Sequence, residues 1–129
     1  AYLGLGTGAW GTVRRDGSTV RYRNAPAPER YLKASSTAAL WSTSELVSDI
    51  ETIAPETALS ERLMLGLRLA EGIDFGALER ATGATGWTTE RRRTAERLVR
   101  AERLVLDGDR LRVPRSAWLF ADGVVRDLL

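Results

Sequence analysis

Apolar and polar positions divide the chain into a β-patterned start and a helical remainder. Tyr2, Leu3 and Leu5 open an apolar strand that runs into Gly4, Gly6, Gly8 and Gly11. Thr12-Val13-Arg14-Arg15 and Ser18-Thr19-Val20-Arg21-Tyr22 flank Asp16-Gly17. That dipeptide between β-prone runs predicts a hairpin, because the tight turn needs positive φ. Ala25-Pro26-Ala27-Pro28 breaks the pattern, and Pro28 fits the first position of a short helix through Tyr31 and Leu32. Ser35 to Ser44 is small and polar around Leu40 and Trp41, and reads as a linker. Leu46, Val47 and Ile50 fit either a strand or a short helix, with Ser42 and Glu45 spaced as a capping box for the latter.

From Pro55 the spacing is helical. Leu59, Leu63, Gly66, Leu67 and Ala70 share a face, and Gly72 is a natural stop. Asp74 is placed to cap a second helix carrying Leu78 and ending at Gly83. Thr88 or Thr89 is placed to cap a third. It would turn Ala95, Leu98 and Val99 inward and Arg91, Arg92, Arg93, Arg97 and Arg100 outward. Leu104-Val105-Leu106 and Leu111-Arg112-Val113 about Asp107-Gly108-Asp109 predict a second hairpin, and Val124, Val125, Leu128 and Leu129 a closing helix. Three helices followed by a hairpin is the winged-helix plan. The expected architecture is therefore α+β: a β arm over 1–24, a linker with a short helix over 25–53, and a winged-helix-like domain of about four helices and a hairpin over 54–129.

Composition narrows the chemistry. The 129 residues are 43% hydrophobic and 28% charged, an ordinary globular balance. No run of about 18 apolar residues predicts a membrane span, and no signal peptide is read at the N-terminus. The chain starts at Ala1, so either a methionine has been removed or the chain is a piece of something longer. There is no cysteine and no histidine. Disulfides, iron–sulfur ligation, cysteine nucleophiles and histidine bases are thereby excluded from this chain. Ser60 and Ser116 have no histidine to activate them, and no carboxylates are spaced as an acid–base pair. The net charge of +2 makes no general case for nucleic acid or membrane.

Three features remain ambiguous between structure and function. The glycine run Gly4 to Gly11 is either a strand end with tight turns or a backbone surface that approaches a ligand. It lacks the dinucleotide-binding spacing. Arg91-Arg92-Arg93 falls on the helix that reads DNA in winged-helix proteins, but Glu90, Glu96 and Glu102 share that helix, and Asp107 and Asp109 sit at the wing tip. A solvated face is the simpler reading, and nucleic acid is not the expected partner. Trp10, Trp41, Trp87 and Trp118 serve either packing or contact with a further domain or ligand.

Three segments in order resemble one family. They are Gly4-Leu5-Gly6-Thr7-Gly8-Ala9-Trp10-Gly11 with Arg21-Tyr22-Arg23-Asn24 and Tyr31-Leu32; then Glu61 to Asp74, including Met64-Leu65-Gly66-Leu67-Arg68; then Gly108 to Val113 before a short helix. Together they resemble the last barrel strand and the C-terminal accessory domain of the radical-SAM oxygen-independent coproporphyrinogen III oxidase and haem-chaperone family. The resemblance implies a cytoplasmic parent with an N-terminal radical-SAM barrel, whose C-x-x-x-C-x-x-C motif holds a [4Fe–4S] cluster that acts on S-adenosylmethionine. The parent would either decarboxylate coproporphyrinogen or carry haem. This chain would cap the barrel and catalyse nothing alone. The resemblance makes Gly6, Gly8, Ala9 and Trp10 cofactor-facing and offers Arg68 either to an internal ion pair or to a tetrapyrrole propionate. Many relatives have Gly-Ala-His where this chain has Gly8-Ala9-Trp10; an indole stacks on flat rings but does not ligate iron. The alternatives to this reading are a winged-helix nucleic-acid-binding protein and a protein-interaction module.

Overall fold

The computed structural model describes residues 2–37 and 46–129. Among them are five α-helices, one 3-10 helix and two small antiparallel sheets. The chain forms two compact units, Ala1–Ala54 and Pro55–Leu129.

The first unit is built on a three-stranded sheet in the order β1 (Trp10–Arg15), β2 (Ser18–Asn24), β3 (Val47–Ile53). Arg15 pairs with Ser18, so Asp16-Gly17 is the whole loop, and both residues have positive φ as the tight turn requires. The expected apolar strand at the very start is not formed. Tyr2 makes an isolated bridge to Thr12, and Leu3 to Ala9 run irregularly before β1 starts at Trp10. The helix at Pro28 is longer than expected: α1 spans Pro28–Thr37, well into the stretch read as linker. Of the two options for residues 46–50, the strand is realised, and β3 pairs along β2 from Thr19↔Ile53 to Asn24↔Val47. Residues 25–53 thus contain a helix and a sheet strand, and do not form a plain linker. Trp41 and the Ser42/Glu45 capping box lie outside the described residues.

Alternation gives the sheet two unlike faces. The register sets Gly11, Val13, Val20, Tyr22 and Ile50 on one face, and Trp10, Thr12, Arg21, Arg23, Asp49 and Glu51 on the other. Gly11 is needed for the first face: a Cβ there would stand 2.3 Å from the hydroxyl of the buried Tyr22. On the second face Arg21 pairs with Glu51 at 3.6 Å.

The second unit runs α2 (Pro55–Gly66), β4 (Ile73–Asp74), α3 (Phe75–Thr82), α4 (Thr89–Arg100), β5 (Val105–Asp107), β6 (Arg110–Arg112), a 3-10 helix (Arg115–Phe120) and α5 (Ala121–Leu128). The sheet order is β4-β6-β5. One core holds Leu63, Leu67, Phe75, Leu98, Leu111 and Leu128, among others. Burial of each such side chain contributes about 1.5–3 kcal/mol. On β6, Leu111 is buried while Arg110 and Arg112 are exposed, the half-buried alternation of a surface strand.

The caps follow the sequence. The Asp74 carboxylate accepts from Ala77 N, Gly83 ends α3 in the left-handed region, and Thr88 Oγ1 accepts from Arg91 N. Three expectations are corrected. α2 stops at Gly66, because Arg68 N and Leu69 N bond back to Leu65 O and Gly66 O, tightening the chain before it reaches Gly72. Val99 is 37% exposed and Leu129 54% exposed, so neither is core. The residues between the second hairpin and the last helix form a 3-10 turn, Arg115–Phe120, in place of a direct connection.

Candidate functional site

The glycine segment is held by its own unit. Gly4 N donates to Tyr22 Oη (3.1 Å) and Gly6 N to Tyr31 Oη (3.0 Å). The buried Asn24 amide donates to Gly4 O (3.0 Å) and Gly6 O (2.9 Å). Gly8 N donates to Ala25 O, and Ala9 N to Gly6 O. The N–H groups of Gly4, Gly6, Gly8 and Ala9 therefore serve the loop itself. Asn24 and Tyr31, which fix that loop, carry no local sequence signal of their role.

The predicted residues Gly6, Gly8, Ala9 and Trp10 do not converge on one pocket. The unit carries an apolar trough of about 620 Å³ on the Tyr22 face, lined among others by Leu3, Leu5, Val13, Val20 and Ile50. Gly4 reaches it, whereas Gly6, Gly8, Ala9 and Trp10 are not in its lining. Trp10 lies on the opposite face. It is 44% exposed, and the Arg23 guanidinium stands 5.7 Å from its ring centre. Gly8 belongs to the same corner: a Cβ at Gly8 would lie 3.8 Å from Arg23 Nη2.

In the second unit the cationic residues have structural duties. Arg68 Nη2 binds Asp122 Oδ1 at 2.8 Å, and Arg68 Nη1 donates to Met64 O. This pair borders a shallow notch of about 250 Å³ with Leu67, Trp118 and Leu119. Arg91 turns inward, contrary to the expected solvated face. Its Nε donates to Leu128 O (2.8 Å), and Nη1 reaches Gly86 O and Thr85 O. Burial pushes its pKa below the ordinary value, against the opposing pull of Glu90. Arg92 stacks on Trp87, and Arg97 binds Asp127 at 2.8 Å. The Arg97 hydrogen bond holds the Asp127 carboxyl below its usual range. Trp87 stacks on Phe75 at 4.3 Å and donates its indole N–H to Asp109. Three of the five α4 arginines, and one of the two wing carboxylates, are thus engaged within the unit.

A family model described as the HemN C-terminal domain matches residues 53–120. The match covers more than half of the chain. The chain belongs to the HemN C-terminal domain family. Comparison with curated proteins and with solved structures gives no match. The HemN match takes in α2 through the 3-10 helix, including Arg68 and Arg91, and leaves Gly6, Gly8, Ala9 and Trp10 outside it. A HemN-family parent implies S-adenosylmethionine and an iron–sulfur cluster. The cluster does not fit the residues of this chain. There is no cysteine or histidine in the sequence, and among the described residues no group of three or more histidine, cysteine or carboxylate side chains could hold a metal. Among the described residues no helix is long and apolar enough to cross a membrane.

Proposed function

We propose that this chain is the C-terminal part of a cytoplasmic radical-SAM protein of the coproporphyrinogen III oxidase-like family, acting in tetrapyrrole synthesis or haem trafficking. The match to the HemN C-terminal domain over residues 53–120 carries the reading. The first unit would be the edge of the barrel, and its exposed apolar trough the face that the preceding barrel covers. A trough lined by Leu5, 78% exposed, and Ile50, 69% exposed, is of the kind that proteins cover with a partner surface. The second unit would be a winged-helix-like cap. Its order of helix, short strand, two helices and hairpin supports that assignment. The engaged arginines of α4 favour a structural use of that helix over DNA reading. The cluster and S-adenosylmethionine would supply radical chemistry from the barrel; the residues here would close and position. Arg68 would reach a propionate only by releasing Asp122.

The test is anaerobic reconstitution of the full-length parent with iron and sulfide. The expected result is about four iron atoms per protein, with reductive cleavage of S-adenosylmethionine, while the 129-residue chain alone gives neither. A parent that assembles no cluster would overturn the reading. Decarboxylation of coproporphyrinogen III by the active parent would mark an oxidase, and retention of haem without decarboxylation a chaperone.

A further inference from the structure

The 3-10 helix of the second unit ends in three consecutive large apolar residues that face outward. Leu119 is 96% exposed, Phe120 50% and Trp118 48%. Leu119 therefore adds nothing to the core, and a contiguous apolar patch of this kind marks a surface that meets something. The turn itself is held in place. Ala117 is buried in the core, and the Trp118 indole N–H donates to Val113 O at 3.1 Å. With that donor engaged, the part of the Trp118 ring left in the open is hydrocarbon. Phe120 carries the Arg103 guanidinium 4.7 Å from its ring centre. Charge around the tip is one-sided. Arg68 is matched by Asp122 and Arg97 by Asp127, whereas Arg103, Arg115 and Arg126 have no ion pair among the described residues. Arg115 stands one 3-10 turn before Trp118, where side chains three apart eclipse. Arg126 acts on the Asp127 carboxyl together with Arg97 and Arg103, and so belongs to the same arginine group. Against these three stands Glu102, next to Arg103 in the chain, so the rim is net positive.

We propose that the Trp118-Leu119-Phe120 turn is an interfacial anchor that enters the headgroup region of an anionic lipid bilayer, where Arg103, Arg115 and Arg126 meet the lipid phosphates. Two observations favour lipid over protein. The first is the projection of Leu119: a protein partner must offer a fitted hole for it, while a fluid interface accepts any projecting apolar shape. The second is the arginine rim, which is complementary to a negatively charged surface and sits beside aromatic rings that prefer the membrane–water boundary. Such an anchor lies on a membrane and does not span it, in keeping with the lack of a spanning helix among the described residues. The chain's small net charge of +2 is no obstacle, because attraction to a charged surface acts within about 10 Å at about 0.1 M salt. What counts is the charge beside the tip. The inference does not use the trough of the first unit.

The experiment is co-sedimentation of the full 129-residue chain with vesicles of phosphatidylglycerol and phosphatidylcholine in equal parts, and with vesicles of phosphatidylcholine alone. The expected result is binding to the first, at least about tenfold weaker binding to the second, and release as salt rises from about 0.1 M to about 1 M. Leu119→Ser is expected to weaken binding about tenfold, and Arg103→Gln and Arg115→Gln about fivefold each. Because Leu119 is almost wholly exposed, Leu119→Ser keeps the urea midpoint of the parent sequence, which separates loss of docking from loss of fold. Leu5→Ser, in the trough, binds vesicles as the parent sequence does. Absence of binding to the anionic vesicles overturns the inference, as does binding that Leu119→Ser leaves intact. A dimer in sedimentation velocity that Leu119→Ser abolishes would assign the turn to a second copy. Vesicle binding by the chain but not by the full-length parent would assign it to an interface within the parent. Either of these results also overturns the inference.

Discussion

Replacing Gly72 with alanine is expected to destabilise the second unit by about 2–5 kcal/mol. Gly72 has φ of +67°, a conformation that costs an L-residue about 1–2 kcal/mol. An added Cβ would also lie 1.9 Å from Leu111 O and 2.8 Å from Arg112 Cα. These are backbone atoms of β6, which is paired on one side with β4 and on the other with β5. They cannot swing away as a side-chain tip could, and overpacking of this kind adds about 1–3 kcal/mol. The close approach fixes the pairing of Ile73 with Leu111, and so places Phe75 and Leu111 in the core. Against a typical domain stability of about 5–15 kcal/mol this is a severe loss. Urea denaturation followed by tryptophan fluorescence checks it. Gly123→Ala is the control: it lies in α5 with open space around its Cβ, and is expected to be neutral or to stabilise by up to about 1 kcal/mol. A Gly72→Ala effect no larger than the control would refute the packing argument.

The second large effect is expected at Arg91. Arg91→Met should destabilise the second unit by about 2–3 kcal/mol, whereas Arg93→Met, two positions along the same run, should change it by no more than about 0.5 kcal/mol. Arg91 supplies charged donors to Leu128 O at the end of α5 and to Gly86 O and Thr85 O in the loop before α4. A carbonyl at a helix C-terminus has no partner within its helix and carries the negative end of the dipole, so a guanidinium satisfies it well. The same loop is held from its other side by Glu79 Oε1, which accepts from Gly86 N (2.6 Å) and Trp87 N (3.1 Å). Its backbone passes so close to Phe75 that a Cβ at Gly86 would lie 2.6 Å from the ring. Arg93 is exposed and has no described partner. Thermal or urea unfolding of the two variants side by side decides the matter; equal effects would return the arginine run to the solvated face expected from the sequence.

Local chemistry explains what was legible in advance. Asp16-Gly17, Asp74, Gly83 and Thr88 each do a job set by backbone geometry within a few residues, so their positions could be read directly. The tail of α2 could not. Its apolar spacing continues through Leu67 toward Ala70, yet the chain tightens after Gly66, where Ile73 packs against the glycine with Cδ1 only 3.0 Å from the position of an added Cβ. β3 was ambiguous because Val47 and Ile50 do not alternate, and the register shift between Arg23 and Asn24 is what seats them. Arg91, Glu79, Asn24 and Tyr31 form contacts across at least seven residues of sequence, and for Arg91 to Leu128 across 37, which no local pattern announces. The glycine segment stands out in the sequence, and Tyr22, Asn24 and Tyr31 accompany it in the resemblance, but their hold on its backbone has no sequence signal. Trp10 and the trough prove to lie on opposite faces of one sheet, a separation that depends on register and not on composition.

In the proposed function this chain completes a larger barrel and does not work alone. Amide hydrogen exchange, compared between the isolated chain and the full-length parent, tests it most directly. Peptides covering Tyr2 to Val13 and Val47 to Ile53, which bear the exposed apolar face, are expected to exchange at least about tenfold more slowly in the parent, because covered strands open less often than free ones. Equal exchange in the two proteins would contradict it, leaving the face uncovered and the chain an independent module.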